Sequence, residues 1–246
     1  MRVLVTRPEP DGERTAAQLR ARGCEVLVAP LLRLEAMDFD PGPGPWGALA
    51  LTSANAVRAV ARHPRMQELL SLPVFAVGAH TAEAARVAGF ADAVAADGDK
   101  DGLVRLIAAR HASHEPVLYL AGEERSGDLE GDLVAAGVTV FTCVAYRVAA
   151  VADVPPEARE VLSRGGLDGA LHFSRRSAQV YVDRMQAAGI LDKALAVSHY
   201  CLSRQVAEPL SSAGATDVRV AGRPSEADLI DCVVSSQSHS GGSRPP

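Results

Sequence analysis

The chain has 246 residues, enough for one large or two ordinary domains, and its 48% apolar and 22% charged content is that of a folded globular protein rather than a disordered one. A formal charge of −5 and a pI near 5.8 exclude a global field that would draw it to nucleic acid or to an anionic membrane. No apolar run approaches the ~18 residues of a membrane span, and the chain opens on a strand rather than a charged-then-apolar leader, so a cytoplasmic protein is expected.

In chain order, Arg2 to Thr6 reads as a buried strand that Arg7-Pro8-Glu9-Pro10 ends. Gly12 to Arg22 carries Ala16 and Leu19 at helical spacing and stops at Gly23, a residue suited to a left-handed cap. Glu25 to Ala29 is the next strand, and Leu31 to Met37 a further extended run. The stretch DFDPGPGPWG (Asp38 to Gly47) is loop or linker. From Ala48, LALTSANAVRAV reads as strand, Ser53 as N-cap, then helix. Val74 to Val77 is a strand leading through Gly78 into a helix that ends at Gly89. Val117 to Ala121 opens another strand–helix–strand passage, which closes on VAYRVAA (Val144 to Ala150). GALHFSRRSAQVYV and HYCLSRQVAEPLSSAG then repeat the strand–helix pattern with Ser174 and Ser203 at the helix starts. The polar, Gly/Pro-rich tail Ser235 to Pro246 is expected to lack fixed structure.

The chain repeats itself. Val117 to Ala150 lies on Val3 to Ala36 without a gap at a shift of 114 residues, with Leu19 on Leu133, Gly23 on Gly137 and Arg33 on Arg147. The change that stands out chemically is Leu32 becoming Tyr146. A second unit repeats with Ser53 on Ser174, Gly78 on Ser203 and Gly89 on Gly214; its growing offset implies small insertions, the main one around Ala187 to Lys193. Strands and helices alternating at short spacing argue parallel α/β sheets with right-handed crossovers. Two pairings are open: tandem domains, or a first segment that closes on the last with the middle inserted. The matching Arg-bearing runs at Leu31–Met37 and Cys143–Ala150 favour the second, since they would form a stiff two-strand connection.

In open parallel sheets, ligands bind beyond the carboxyl ends of strands, where helix N-termini point. Such ends occur at Arg7, Ser53, Gly78, Gly122, Ser174 and Ser203, with Arg175, Arg176 and Arg204 close by. This describes a site that holds a polyanion through many modest contacts, although each serine also serves as a helix cap. The four cysteines, Cys24, Cys143, Cys201 and Cys232, lack CxxC spacing and read as reduced, mostly buried thiols. His111 and His114 near a helix end lack a third ligand in sequence, and His63, His172 and His199 read as structural. Glu123 and Glu124 read as solvated. There is no GxSxG and no Gly-rich phosphate loop.

The ordered pieces LVTRP, LTSANAV, AVGAHTAEAARVAGF, VLYLAGEERSGDLEGDLVAAGVTV with VAYRV, HFSRRSA and CLSRQVAEPLSSAG…RPSEADLI together resemble uroporphyrinogen-III synthase over residues 3 to 234. The resemblance implies two similar flavodoxin-like parallel-sheet domains joined by a two-strand connection, the chain crossing between them twice. Domain 1 would comprise 1–37 plus 149–234, and domain 2 residues 38–148, with 235–246 a disordered tail. It further implies a monomer with no cofactor and no metal, and a cleft that binds hydroxymethylbilane. That linear, polyanionic tetrapyrrole would lose water and close to uroporphyrinogen III with ring D inverted. Tyr146 falls on the family tyrosine proposed to assist departure of the hydroxyl, and Thr81 on its threonine after Gly. Arg7, Ser53, Asn55, Gly78, Ser174, Arg175, Ser203 and Arg204 complete the expected substrate contacts. In the second copy Ser203 and Val206 replace the family's Gly and Thr, which leaves no hydroxyl at Val206. The competing reading is a non-catalytic two-domain binder that senses an anionic metabolite, with Tyr146 as packing.

Overall fold

The computed structural model describes residues 1–125 and 127–240. In chain order its elements are β1 (Arg2–Val5), α1 (Asp11–Arg20), β2 (Glu25–Val28), β3 (Leu32–Ala36), β4 (Ala48–Leu51), α2 (Ala54–Val60), α3 (Met66–Leu69), β5 (Val74–Ala76), α4 (Ala79–Val87), β6 (Ala93–Ala95) and α5 (Lys100–Arg110). They continue with β7 (Val117–Gly122), α6 (Leu129–Ala135), β8 (Val140–Ala150), α7 (Pro156–Ser163), β9 (Gly169–His172), α8 (Arg175–Ala187), α9 (Leu191–Leu195), β10 (Ser198–Cys201), α10 (Arg204–Ser212), β11 (Val218–Val220) and α11 (Glu226–Ser240). Two compact units result, Met1–Arg33 with Ala149–Pro246, and Leu34–Val148.

The first unit holds a sheet in the order β11-β10-β9-β1-β2, each pair parallel. Val3 to Val5 of β1 are buried completely, as a central strand covered on both faces requires. One face packs Leu4, Tyr181, Met185 and Leu210, the other Val3, Val5, Leu19 and Ile230. The second unit holds the order β3-β8-β7-β4-β5-β6, again two-sided, with Leu49, Leu51, Leu118 and Leu120 on one face and Ala48, Ala50, Phe75 and Leu103 on the other. The unit boundaries at Arg33 and Val148 fall inside β3 and β8, neighbouring strands of this sheet, and so the chain passes twice between units along paired backbone.

The 114-residue repeat survives in three dimensions. Val3 pairs with Val26 and Val5 with Val28; Val117 pairs with Val140 and Tyr119 with Thr142. Helices α1 and α6 end alike: Gly23 N donates to Arg20 O and Cys24 N to Leu19 O, while Gly137 N donates to Val134 O and Val138 N to Leu133 O. Both turns need a left-handed residue, and Gly23 (φ +82°) and Gly137 (φ +81°) supply it.

Some expectations shift. Helix α1 begins at Asp11 and ends at Arg20, with Ala21 and Arg22 forming the turn into Gly23. The insertion near Ala187 to Lys193 is not a plain loop: it leads into α9, whose Ala194 and Leu195 are buried and whose Ala194 carbonyl accepts from the Tyr181 hydroxyl at 2.9 Å. The tail is corrected most. Residues 235 to 240 continue α11, because Ile230 and Val233 press the helix into the core and helical hydrogen bonding propagates beyond them. Residues 241–246 of that expected tail lie outside the described residues.

His172 and His199 lie side by side in the first unit, Nε2 of one 3.1 Å from Nδ1 of the other. Both are fully buried, and Tyr181 stands edge-on to both rings. Their bond pairs one donor with one acceptor, so the accepting ring must be neutral, and burial disfavours charge on the other as well. Burial, reinforced by the neighbouring ring, holds His172 well below the usual histidine range. Burial lowers His199 to about 4, against the opposing pull of Asp217. The unfolded chain takes up these protons near pH ~6.5 while the folded one stays neutral, so between those values unfolding binds protons and stability falls with falling pH. Thermal melts should be level above about pH 7 and decline through pH ~6.5 to ~4, each histidine contributing up to about 1.4 kcal/mol per pH unit. A flat profile across that window would contradict a buried neutral pair.

Candidate active site

Tyr146 sits where β8 departs from regular pairing. Ala121 pairs with Val144, but Gly122 pairs with Tyr146, so that Ala145 is an extra residue. This bulge breaks the alternation of faces: Cys143, Ala145 and Tyr146 all join the same apolar cluster. Bulges of this kind re-aim a side chain. Here the ring of Tyr146 is laid over Gly122, where a Cβ would come within 2.9 Å of its Cζ and 3.0 Å of its hydroxyl oxygen. The absent side chain at Gly122 is therefore the seat of the ring.

The phenol borders a cavity of about 450 Å³ at the carboxyl ends of β4, β5 and β7. Thr52, Ser53, Val77, Gly98, Tyr119 and Tyr146 contribute to its wall. Tyr146 is 8% exposed. Burial raises its pKa, a hydrogen bond with the Ser53 side chain pulls it partway back, and nearby Tyr119 adds to the rise. The group therefore keeps its proton at neutral pH and is a donor. Ser53 also caps α2, its Oγ accepting from Asn55 N at 3.1 Å. The charged wall residues are paired or capping. Lys100 Nζ contacts Asp132 and, at 3.5 Å, Asp101. Arg125 lies 4.0 Å from Glu130, and Asp99 caps α5 through Gly102 N at 2.7 Å.

Of the residues expected from sequence, the cavity brings together Ser53 and Tyr146. Asn55, Gly78 and Thr81 stay close to its rim in sequence but do not line it: Asn55 accepts from Arg58 at 2.6 Å, Gly78 caps α4 in extended backbone, and Thr81 is 5% exposed on that helix. Arg7, Ser174, Arg175, Ser203 and Arg204 belong to the first unit. Arg7 is held there, its guanidinium 4.3 Å over the Phe173 ring and 3.3 Å from Glu226, with Asp11 at 3.7 Å. Ser174 forms a capping box with Ser177, and Arg175 lies 3.3 Å from Glu208. Ser203 begins α10 without a side-chain cap bond, and Arg204 is exposed. Glu124, expected to be solvated only, also borders the cavity. Gly122, expected only as a ligand-facing strand end, also borders the cavity, and Lys100 and Tyr119 were not among the expected site residues. The available signal was a phenol and a glycine closing the apolar run VLYLAG.

Among the described residues no group of three or more His, Cys, Asp or Glu side chains is placed to hold a metal ion. His63 Nε2 meets Phe39 O at 2.9 Å and His111 Nε2 meets Glu115 O at 2.9 Å. Burial raises the thiols of Cys24, Cys143, Cys201 and Cys232 above their ordinary value, and all four are free. No helix of the described residues is long and apolar enough to cross a membrane.

Residues 13–231 match the family described as HEM4, uroporphyrinogen-III synthase HemD. Among solved structures, the chain is similar to uroporphyrinogen-III synthetase from Helicobacter pylori, at 19% identity and a TM-score of 0.67, over 96% of this chain and 100% of that one. It is also similar to a mutant uroporphyrinogen III synthase from the extremely thermophilic bacterium Thermus thermophilus, at 19% identity and a TM-score of 0.53, over 97% of this chain and 99% of that one. At these identities the likeness is one of fold. A comparison with curated proteins found no match.

The packing of Tyr146 on Gly122 is directly testable. Gly122→Ala should cost about 1–3 kcal/mol of stability, because the added methyl collides with a ring that the bulge holds in place. In a Tyr146→Leu background, the residue the first repeat carries at Leu32, most of that cost should vanish. Denaturant unfolding of the wild type and the three variants reads it, and an equal cost in both backgrounds would place the collision elsewhere.

Proposed function

Since this chain belongs to the uroporphyrinogen-III synthase family, cyclising hydro-lyases of tetrapyrrole biosynthesis that act on hydroxymethylbilane, we propose that Tyr146 is the acid of its reaction. The observation that carries this is the buried, protonated phenol seated on Gly122 at the cavity wall, with Ser53 on the same wall.

The chemistry asks little more of the protein. As the C–O bond of the hydroxymethyl group breaks, its electron pair leaves with oxygen, which takes the phenol proton and departs as water. The pyrrole nitrogen supplies electrons to the carbon left behind and yields an azafulvene. Attack by the substituted carbon of ring D gives a spiro intermediate, and fragmentation and reclosure invert that ring. Protons lost when the pyrroles recover aromaticity restore the phenol. Ser53 stabilises the transient phenolate by donating to it. Folding the chain so that the correct carbon attacks is mainly proximity and orientation.

The substrate's carboxylates are assigned to the helix N-termini beginning at Ser53, Gly78, Ser174 and Ser203, with Asn55, Thr81, Arg175 and Arg204 beside them. Arg7 reaches a carboxylate by exchanging the carboxylate of Glu226. A monomeric cytoplasmic enzyme completes the proposal, and free, mostly buried thiols support the cytoplasmic part of it.

Incubation with hydroxymethylbilane, followed by oxidation and isomer separation, should give type III porphyrin; type I alone would return the chain to the sensor reading. Tyr146→Phe should fold normally and lose roughly 10²-fold in turnover, about 2.7 kcal/mol of barrier, with smaller effects on binding. A fully active, stable Phe variant would leave the enzyme orienting its substrate without this acid. Ser53→Ala should weaken the acid by removing the donor that favours its phenolate, and should cost about 1 kcal/mol of helix capping. An unchanged rate with the expected fall in stability would confine Ser53 to capping.

A further inference from the structure

The repeat carries a second exchange of the same kind as Leu32 to Tyr146. Val5 in the first copy becomes Tyr119 in the second, and the two occupy matching registers, Val5 opposite Val28 and Tyr119 opposite Thr142. Packing does not ask for a phenol here. The rest of β7 is Val, Leu, Leu, Ala and Gly, all buried, and Val5 fills its own position without exposure. What the phenol adds is reach. Tyr119 belongs to the apolar cluster on one face of the sheet and Tyr146 to the cluster on the other. Both side chains come to the carboxyl edge and border the same cavity.

The Tyr119 hydroxyl lies 3.4 Å from Thr52 Oγ1. Thr52 directly precedes Ser53, which borders the same cavity as Tyr146. Four hydroxyls therefore stand around one wall, supplied by β7, the junction of β4 with α2, and β8. A departing hydroxyl group needs a proton from one side and, to be held in line with that donor, a second polar contact from another. A neutral hydroxyl can both donate and accept, so it serves before and after the oxygen becomes water. We infer that Tyr119 is a second functional phenol of this cavity, a positioning residue that with Thr52 holds the substrate's leaving oxygen toward the Tyr146 donor. This rests on Tyr146 as the acid. It adds a residue that orients the oxygen without giving up a proton.

The test compares Tyr119→Phe, Thr52→Val, Tyr146→Phe and the Tyr119→Phe/Tyr146→Phe double variant by steady-state rate on hydroxymethylbilane, type III to type I product ratio, and thermal melt. Tyr119→Phe and Thr52→Val should each lower kcat roughly fivefold, the order of one lost hydrogen bond, with KM and melting nearly unchanged. In the Tyr146→Phe background the further loss from Tyr119→Phe should shrink towards none, since there is no donor left to align with. A wild-type kcat for Tyr119→Phe overturns the inference. So does an equal loss in both backgrounds with a lowered melt, which is the signature of packing alone. If Tyr146→Phe keeps full rate while Tyr119→Phe slows, the acid reading of Tyr146 fails and Tyr119 stands as the working phenol. If both variants keep full rate, both readings fail. Should Tyr119→Phe not fold, Thr52→Val decides alone, because it leaves the core ring in place.

Discussion

One residue's width of empty space supports the candidate site. The ring of Tyr146 rests where Gly122 has no side chain, and the extra residue Ala145 in β8 brings the two opposite each other. In regular pairing, Tyr146 would stand one position further along and on the other face, because side chains alternate strictly along a strand. The bulge removes that alternation at the one point where an otherwise apolar strand carries a phenol. Burial then keeps the proton on the phenol, and Ser53 tempers the shift. Geometry and proton affinity thus have the same origin, the close seat of an aromatic ring at the end of a buried parallel strand.

The repeat explains why the fold tolerates such a seat. Val5 and Tyr119 stand in equivalent register, and Val5 is aliphatic, so that strand position does not depend on a phenol. Leu32 matches Tyr146 in the sequence repeat, but it lies in β3, a strand of the second sheet. The second copy places an aromatic hydroxyl where the matching strand carries Val, so its polar end is surplus to packing. Buried tyrosines ordinarily need a partner for the hydroxyl. Here Thr52 stands 3.4 Å from the Tyr119 hydroxyl, and Ser53 shares the cavity wall with Tyr146.

Charge is handled in the opposite manner. An acidic chain of net −5 keeps several of its cations beside carboxylates: Arg7 with Glu226 and Asp11, Lys100 with Asp132, Arg175 with Glu208. Backbone N–H groups at helix starts carry no such counter-charge and suit carboxylates without a long-range field.

Much of this was legible in the residues themselves. The strand–helix alternation, the glycine-ended helices and the gapless 114-residue repeat are local patterns, and local patterns follow from propensity, caps and hydrophobic period. The exchange of Leu32 for Tyr146 was visible for the same reason, and the exchange of Val5 for Tyr119 was equally present. Distance along the chain hid the second: nothing in the letters says that strands at Thr52, Tyr119 and Tyr146 end at one cavity. Tertiary structure alone decided the bulge at Ala145, the use of Gly122 as a seat, the ion pair that occupies Arg7, and the helix that continues through residues 235 to 240. Each depends on which atoms meet across elements far apart in sequence. A side chain's neighbours, unlike its own propensity, are fixed only when the sheet order is.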